Sequence, residues 1–195
     1  MPRNLCPSCQ LPSARCHCDC VVEQFCDIKL VIWQHPTEAD HPKNSVRLLA
    51  ACLPQIQIIR AEQLSLEALT EQTGIDVDRL ELLFPDTQPQ TNPIDVIATN
   101  PEASTQLLAI DGTWRKARKL LHVNPWLTQL PRRSINSQNR SRYHIRKAER
   151  EGQLSTLEAV CKAIEEIEGH DHTSAPILNA FDQYLTKLSH HQPIR

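Results

Sequence analysis

A chain of 195 residues, 40% of them hydrophobic, can bury a normal core in one domain with at most a small appendage. Its formal net charge of −2 and pI near 6.5 argue against a surface that binds polyanions everywhere, and it holds no run of about 18 apolar residues that would span a membrane. Its 4 glycines form neither a G-x-G-x-x-G turn nor a P-loop, which excludes the common glycine-rich nucleotide sites, and 14 prolines fit a loop-rich enzyme better than a helical bundle.

Met1 to Leu5 opens no apolar signal-peptide core, so the chain reads as cytoplasmic. In that compartment cysteines serve as metal ligands or buried thiols more often than as disulfides, and five of the 8 fall between Cys6 and Cys20. Cys6-Pro7-Ser8-Cys9 is followed, six residues later, by Cys16-His17-Cys18-Asp19-Cys20. A Cys-x-x-Cys turn lets two thiolates reach one ion, and a second tight pair closes a tetrahedral shell with no open position. The spacing predicts a structural zinc knuckle over residues 1–26, held by Cys6, Cys9, Cys16 and Cys18, with Cys20 or His17 as alternative members of the second pair. Residues 27–195 then form the main domain.

Ile28 to Trp33 reads as a strand, with Gln34-His35-Pro36-Thr37-Glu38 as the loop at its carboxyl end. Asn44-Ser45 offers a polar cap to the helical stretch Val46 to Leu53. Further strands are expected over Ile56 to Ile59 and over Leu80 to Phe84, the latter stopping at Pro85-Asp86, and residues 85–104 read as loops around a short Ile94 to Ala98 element. Leu107-Leu108-Ala109-Ile110, closed by Asp111-Gly112, has the look of a buried parallel strand; such strands carry ligands beyond their carboxyl ends, which puts Asp111 at the mouth of a cleft. From Trp114 onward, at about 100° per residue, Trp114, Ala117, Leu120 and Leu121 share one helical face and Arg115, Arg118, Lys119 and His122 another. Ser155 and Glu158 spell a capping box before a helix lined by Leu157, Val160, Cys161, Ile164 and Ile167, and the loop before such a start can also hold a carboxylate or phosphate. A final helix spans Ile177 to Leu188. Strands alternating with helices argue an α/β fold with a mainly parallel sheet and flanking helices.

Charge is unevenly distributed. Residues 111–150 hold eleven of the 21 Lys and Arg but two of the 23 acids. A basic block in an otherwise acidic chain is the footprint of a localised polyanion site, nucleic acid before others. Arg115, Arg118, Lys119, Arg142, Arg146 and Lys147 are the candidate phosphate contacts, with Arg132, Arg133, Arg140 and Arg150 extending the same track; such contacts position a nucleic acid without specifying its sequence.

In this order, the pieces resemble the DTW-domain family, and specifically its bacterial tRNA-uridine aminocarboxypropyltransferases. The resemblance rests on the cysteine knuckle, His35-Pro36-Thr37-Glu38 with Asn44-Ser45, Leu83-Phe84-Pro85, Asp111-Gly112-Thr113-Trp114-Arg115, Tyr143-His144-Ile145-Arg146-Lys147, and Leu154-Ser155-Thr156-Leu157-Glu158-Ala159. It covers nearly the whole chain and implies a SPOUT-like fold, knotted in its carboxyl-terminal half, whose loops build the cofactor site. It further implies S-adenosylmethionine as donor of a 3-amino-3-carboxypropyl group to N3 of a tRNA uridine, at position 47 of the variable loop.

Under this resemblance Asp111, Thr113 and Trp114 are the candidate catalytic residues. Asp111 would take the N3 proton or hold the donor's ammonium, and Trp114 would stack on a base or pack beneath Asp111. His35, Glu38, Asn44, Pro85, Ser155 and Glu158, with Asp111, are the candidate donor contacts, although a lone histidine such as His35 in a strand-end loop is more often a satisfied surface or packing residue, and Glu38 and Asn44 read equally as helix caps. The expected partners are tRNA and S-adenosylmethionine, with neither a membrane nor an obligate protein partner. Two other readings compete: an RNA methyltransferase using the same donor, and a noncatalytic zinc-containing RNA-binding module.

Overall fold

Aliphatic runs at the centre of the chain pair into one parallel sheet. The computed structural model describes residues 5–41, 44–85, 105–135 and 154–190. The strands are β1 (Lys29–Gln34), β2 (Gln57–Arg60), β3 (Leu80–Leu83), β4 (Gln106–Asp111) and β5 (Arg132–Arg133), ordered β2-β1-β4-β3-β5 with every pairing parallel. The central strands β1 and β4 are covered on both faces, which is why KLVIWQ and QLLAID run apolar without alternation. Their register sets Gln34 beside Asp111, so both strands end at the same edge.

Two helical layers bury the sheet. On one face α1 (Val46–Cys52), α4 (Thr156–Glu168) and α5 (Ser174–His190) cover Leu30, Ile32, Leu107 and Ala109. On the other, α2 (Leu66–Thr73) and α3 (Trp114–Val123) cover Val31, Trp33, Leu80 and Leu108. The Trp33 indole, fully buried, satisfies its N–H on the Ala61 carbonyl at 2.7 Å. The capping box at the start of α4 is complete, and the helix closes at Gly169 with φ 74°, a left-handed turn that glycine adopts without a side-chain penalty.

The α/β class and parallel sheet are as expected, with local adjustments. Asn44, not Ser45, caps α1 with its side chain, Oδ1 accepting from the Val46 amide at 2.7 Å. The final helix begins at Ser174, ahead of its apolar stripe, and α2 and the two-residue β5 have too little pattern to announce themselves. The Ile94 to Ala98 element lies outside the described residues.

The cysteine segment folds as two short turns, Ser13–Arg15 and Cys18–Cys20, seated on α5. Tyr184 donates its hydroxyl to the Arg15 carbonyl at 3.1 Å, and Lys187 reaches Asp19 at 2.7 Å. The His17 ring stands edge-on to Tyr184, with centroids 5.8 Å apart.

Candidate active site

At the shared edge of β1 and β4 the Asp111 side chain is buried, 3% exposed, with both carboxylate oxygens engaged. Oδ2 accepts from Gln34 Nε2 at 2.8 Å and from Asn44 Nδ2 at 3.0 Å, while Oδ1 accepts from Thr156 Oγ1 at 2.6 Å. Gln34 is itself oriented by Arg60, whose Nε donates to its Oε1 at 3.1 Å. The carboxylate thus ties β1, the loop before α1 and the start of α4 to the end of β4, and these donors replace the water it has lost.

His35, Glu38 and Asn44 gather around this aspartate. The His35 amide donates to the Asp111 carbonyl at 3.0 Å, and its Nδ1 accepts from the Thr37 amide at 3.3 Å. Nε2 is then the protonated nitrogen, and it faces Glu62 at 3.2 Å. The Lys119 ammonium, 2.7 Å from Glu62, and the nearby His35 hold that carboxyl below its ordinary range. Glu38 is buried and accepts from Lys116 Nζ at 2.6 Å, and Asn44 Nδ2 also donates to the Glu38 carbonyl at 2.9 Å. No buried side-chain nitrogen or oxygen among the described residues lacks a partner, as a polar cluster in a low-dielectric interior requires.

Thr156 faces two ways. Its hydroxyl donates to Asp111, and the residue also lines a cleft of about 140 Å³ on the β3 and β5 side of the site. Phe84 and Pro85 from the end of β3, Trp114 from α3, and Ser155 from the α4 cap form much of the wall. Trp114 meets Phe84 edge-on, with ring centroids 5.7 Å apart, and the Arg132 guanidinium lies 5.6 Å over the Phe84 ring. Gly112 also borders the cleft, and a Cβ there would stand 3.2 Å from Lys116 Cβ and 3.7 Å from His35 Cβ, so the backbone threads a space sized for glycine. Arg133 is the one charged residue in the described lining, with Nε donating to Glu81 at 2.6 Å.

The residues singled out from sequence therefore divide between two adjoining places. Asp111, His35, Glu38 and Asn44 form the buried cluster, while Pro85, Trp114 and Ser155 line the cleft. Glu158 is buried behind the cleft wall, accepting from the Ser155 amide at 2.8 Å. Thr113 is exposed and caps α3, its side chain accepting from the Lys116 amide at 3.4 Å. Arg115 and Arg118 are exposed, whereas Lys119 is paired with Glu62; Arg140, Arg142, Arg146, Lys147 and Arg150 lie outside the described residues. Sequence reasoning missed Gln34, Thr156, Lys116 and Phe84, and it set Arg133 on the phosphate track, whereas the residue lines the cleft. Gln34 had one signal, a polar residue ending an apolar strand, and Thr156 another, a hydroxyl directly after a cap.

The sulfurs of Cys6, Cys9, Cys16 and Cys18 lie within 4.8 Å of one another, with Cys6 to Cys18 at 3.8 Å and Cys9 to Cys16 at 3.7 Å. Ligands about 2.3 Å from a tetrahedral zinc stand about 3.8 Å apart, so the donor set fits that ion. Cys20 turns its thiol to Asp19, and His17 packs on Tyr184, so neither joins the four. The backbone amides of Cys9 and Ser8 lower the Cys6 thiol to about 6, whereas desolvation and the neighbouring thiols push Cys18 up to about 12. Four thiolates this close ionise together only around a cation.

The family model of the DTW domain matches residues 3–189. The chain is 28% identical over 199 residues to tRNA-uridine aminocarboxypropyltransferase 2 of Mus musculus, a match covering 99% of this chain and 66% of the relative. The Macaca fascicularis protein of the same name is 27% identical over 199 residues, with the same 99% and 66% coverage. The chain thus spans 66% of the length of these relatives. No solved structure matches it.

Proposed function

Because the chain belongs to the DTW-domain family, we propose that it transfers the 3-amino-3-carboxypropyl group of S-adenosylmethionine to N3 of a uridine in tRNA. One observation carries this reading to the level of residues: Thr156 lines the cleft, and its hydroxyl donates to buried Asp111 at 2.6 Å. In the reaction an N3–C bond forms at the methionine-side carbon, the C–S bond breaks, and its electron pair leaves with the sulfur of methylthioadenosine. The N3 proton passes to Thr156 Oγ as the hydroxyl's own proton moves to Asp111, a general-base contribution of roughly 100-fold or more. Holding that carbon in line with N3 contributes on the order of 7 kcal/mol or more.

Trp114 and Phe84 offer aromatic faces and edges to a base, and Thr113 holds the start of α3 that carries Trp114. The polar cluster of His35, Glu38 and Asn44 orients Asp111; Pro85 and Ser155 border the donor, and Glu158 fixes Ser155 through the capping box. Arg115 and Arg118 meet tRNA phosphates, with Lys119, Arg142, Arg146 and Lys147 extending the track. The fold is read as SPOUT-like and knotted in its carboxyl-terminal half; the insertion of β4 between β1 and β3, and the return of α4 to the end of β4, support it. The cysteine centre holds a structural zinc through Cys6, Cys9, Cys16 and Cys18, and the protein works in the cytoplasm, which suits cysteines that are not joined in disulfides. No helix among the described residues is long and apolar enough to cross a membrane.

Nucleoside mass spectrometry after incubation with tRNA and S-adenosylmethionine tests the reading. A uridine carrying the aminocarboxypropyl mass supports it. A methylated nucleoside, or no product when both ligands bind, overturns it.

A further inference from the structure

The cleft is walled by aromatic, aliphatic and hydroxyl side chains, and Arg133 is the single charge in its described lining. The residue sits on the sheet rather than on a loop: it pairs with Leu83, and its carbonyl accepts from the Phe84 amide at 3.2 Å. Its Nε donates to Glu81 Oε2 at 2.6 Å, and the two side chains are 24% and 19% exposed. That bond fixes the plane of the guanidinium and leaves both Nη groups without a partner among the described residues. A guanidinium held at Nε presents its Nη pair as a planar fork, the shape that receives a carboxylate through two parallel hydrogen bonds. Neighbouring Arg132 is engaged elsewhere, over the Phe84 ring and on the Pro85 carbonyl.

We infer that Arg133 binds the carboxylate of the donor's amino acid end and thereby determines which group is transferred, an inference that rests on the function proposed above. All three carbons on the sulfonium are activated. A methyl transfer leaves the amino acid arm idle, whereas an aminocarboxypropyl transfer needs that arm fixed with its first carbon facing the acceptor. An anchored carboxylate supplies this constraint, and Glu81 acts as a positioning residue behind the anchor.

The test compares calorimetric dissociation constants for S-adenosylmethionine and for its decarboxylated analogue, which lacks only the carboxylate. The wild type should favour the carboxylate-bearing donor by about tenfold or more, as expected for a charge-assisted bidentate pair. In Arg133→Ala this preference should fall to about one, in Arg133→Lys it should be intermediate because charge remains without the fork, and Glu81→Gln should narrow it. The last two variants keep a side chain of similar size and carry the test should Arg133→Ala fail to fold. A preference retained in all three variants overturns the Arg133 assignment while leaving the proposed function standing. Loss of tRNA affinity in Arg133→Ala with the donor preference unchanged overturns it too, in favour of a phosphate contact. A wild type that binds neither compound overturns the proposed function itself.

Discussion

Asp111 and asparagine are nearly isosteric, and the donors around Asp111 decide what exchanging them does. Gln34 and Asn44 need an acceptor on one oxygen, but the Thr156 hydroxyl can accept as well as donate. The amide introduced by Asp111→Asn can keep its oxygen toward Gln34 and Asn44 and turn its NH₂ to Thr156, so the fold survives. We expect denaturant unfolding within about 1.5 kcal/mol of wild type and single-turnover rates down by roughly 100-fold or more. A rate near wild type would remove Asp111 from the chemistry. Asp111→Ala instead strands two buried amides, at a cost of about 1–3 kcal/mol each. Thr156→Val should share the rate loss of Asp111→Asn, and Thr156→Ser should recover most of it, because the proton path needs the hydroxyl and not the methyl. Equal rates in the valine and serine variants would dismiss the relay.

Among the elements, the cysteine knuckle ties its metal chemistry to α5. Tyr184 and Lys187 hold its two turns, so loosening the sulfur cluster should be felt in the carboxyl-terminal helix. Cys6→Ser or Cys16→Ser is expected to lower the zinc content measured by elemental analysis and to raise amide exchange across Tyr184 to Leu188, since a shell short of one thiolate binds metal poorly. Native protein free of zinc would end the structural-zinc reading. For α3 the helical period separated an apolar from a cationic face correctly. It could not separate cations that are spent from cations that are available, because Glu38 and Glu62 reach Lys116 and Lys119 from distant parts of the chain.

That distinction matters for how the whole molecule meets tRNA. Lys119 is neutralised by Glu62, whereas Arg115 and Arg118 are exposed with no partner among the described residues. If the two arginines contact phosphates, Arg115→Ala and Arg118→Ala should each lower the slope of log affinity against log salt by somewhat under one unit. Lys119→Ala should change it less, because its charge already has a counterion within the protein. Equal and unchanged slopes in all three variants would place tRNA elsewhere. The same measurement on the donor should show little salt dependence, since one carboxylate held by Arg133 within the cleft is screened far less than exposed phosphate contacts and releases no phosphate counterions.

Sequence alone determined what depends on neighbours in the chain. The cysteine spacing announced a four-sulfur cluster, Ser155 with Glu158 announced the capping box, and the unalternating apolar runs announced buried parallel strands, because ligand reach, cap geometry and side-chain period are local properties. The strand order β2-β1-β4-β3-β5, and with it the inner site, belonged to the tertiary structure. Gln34 lies 77 positions from Asp111 and Thr156 lies 45, yet register and the docking of α4 bring both onto one carboxylate. The acid that sequence placed at a cleft mouth is instead buried one hydroxyl behind the cleft. No local period encodes which distant donors converge on a buried charge; that follows from strand order and from the need to satisfy every polar group taken out of water.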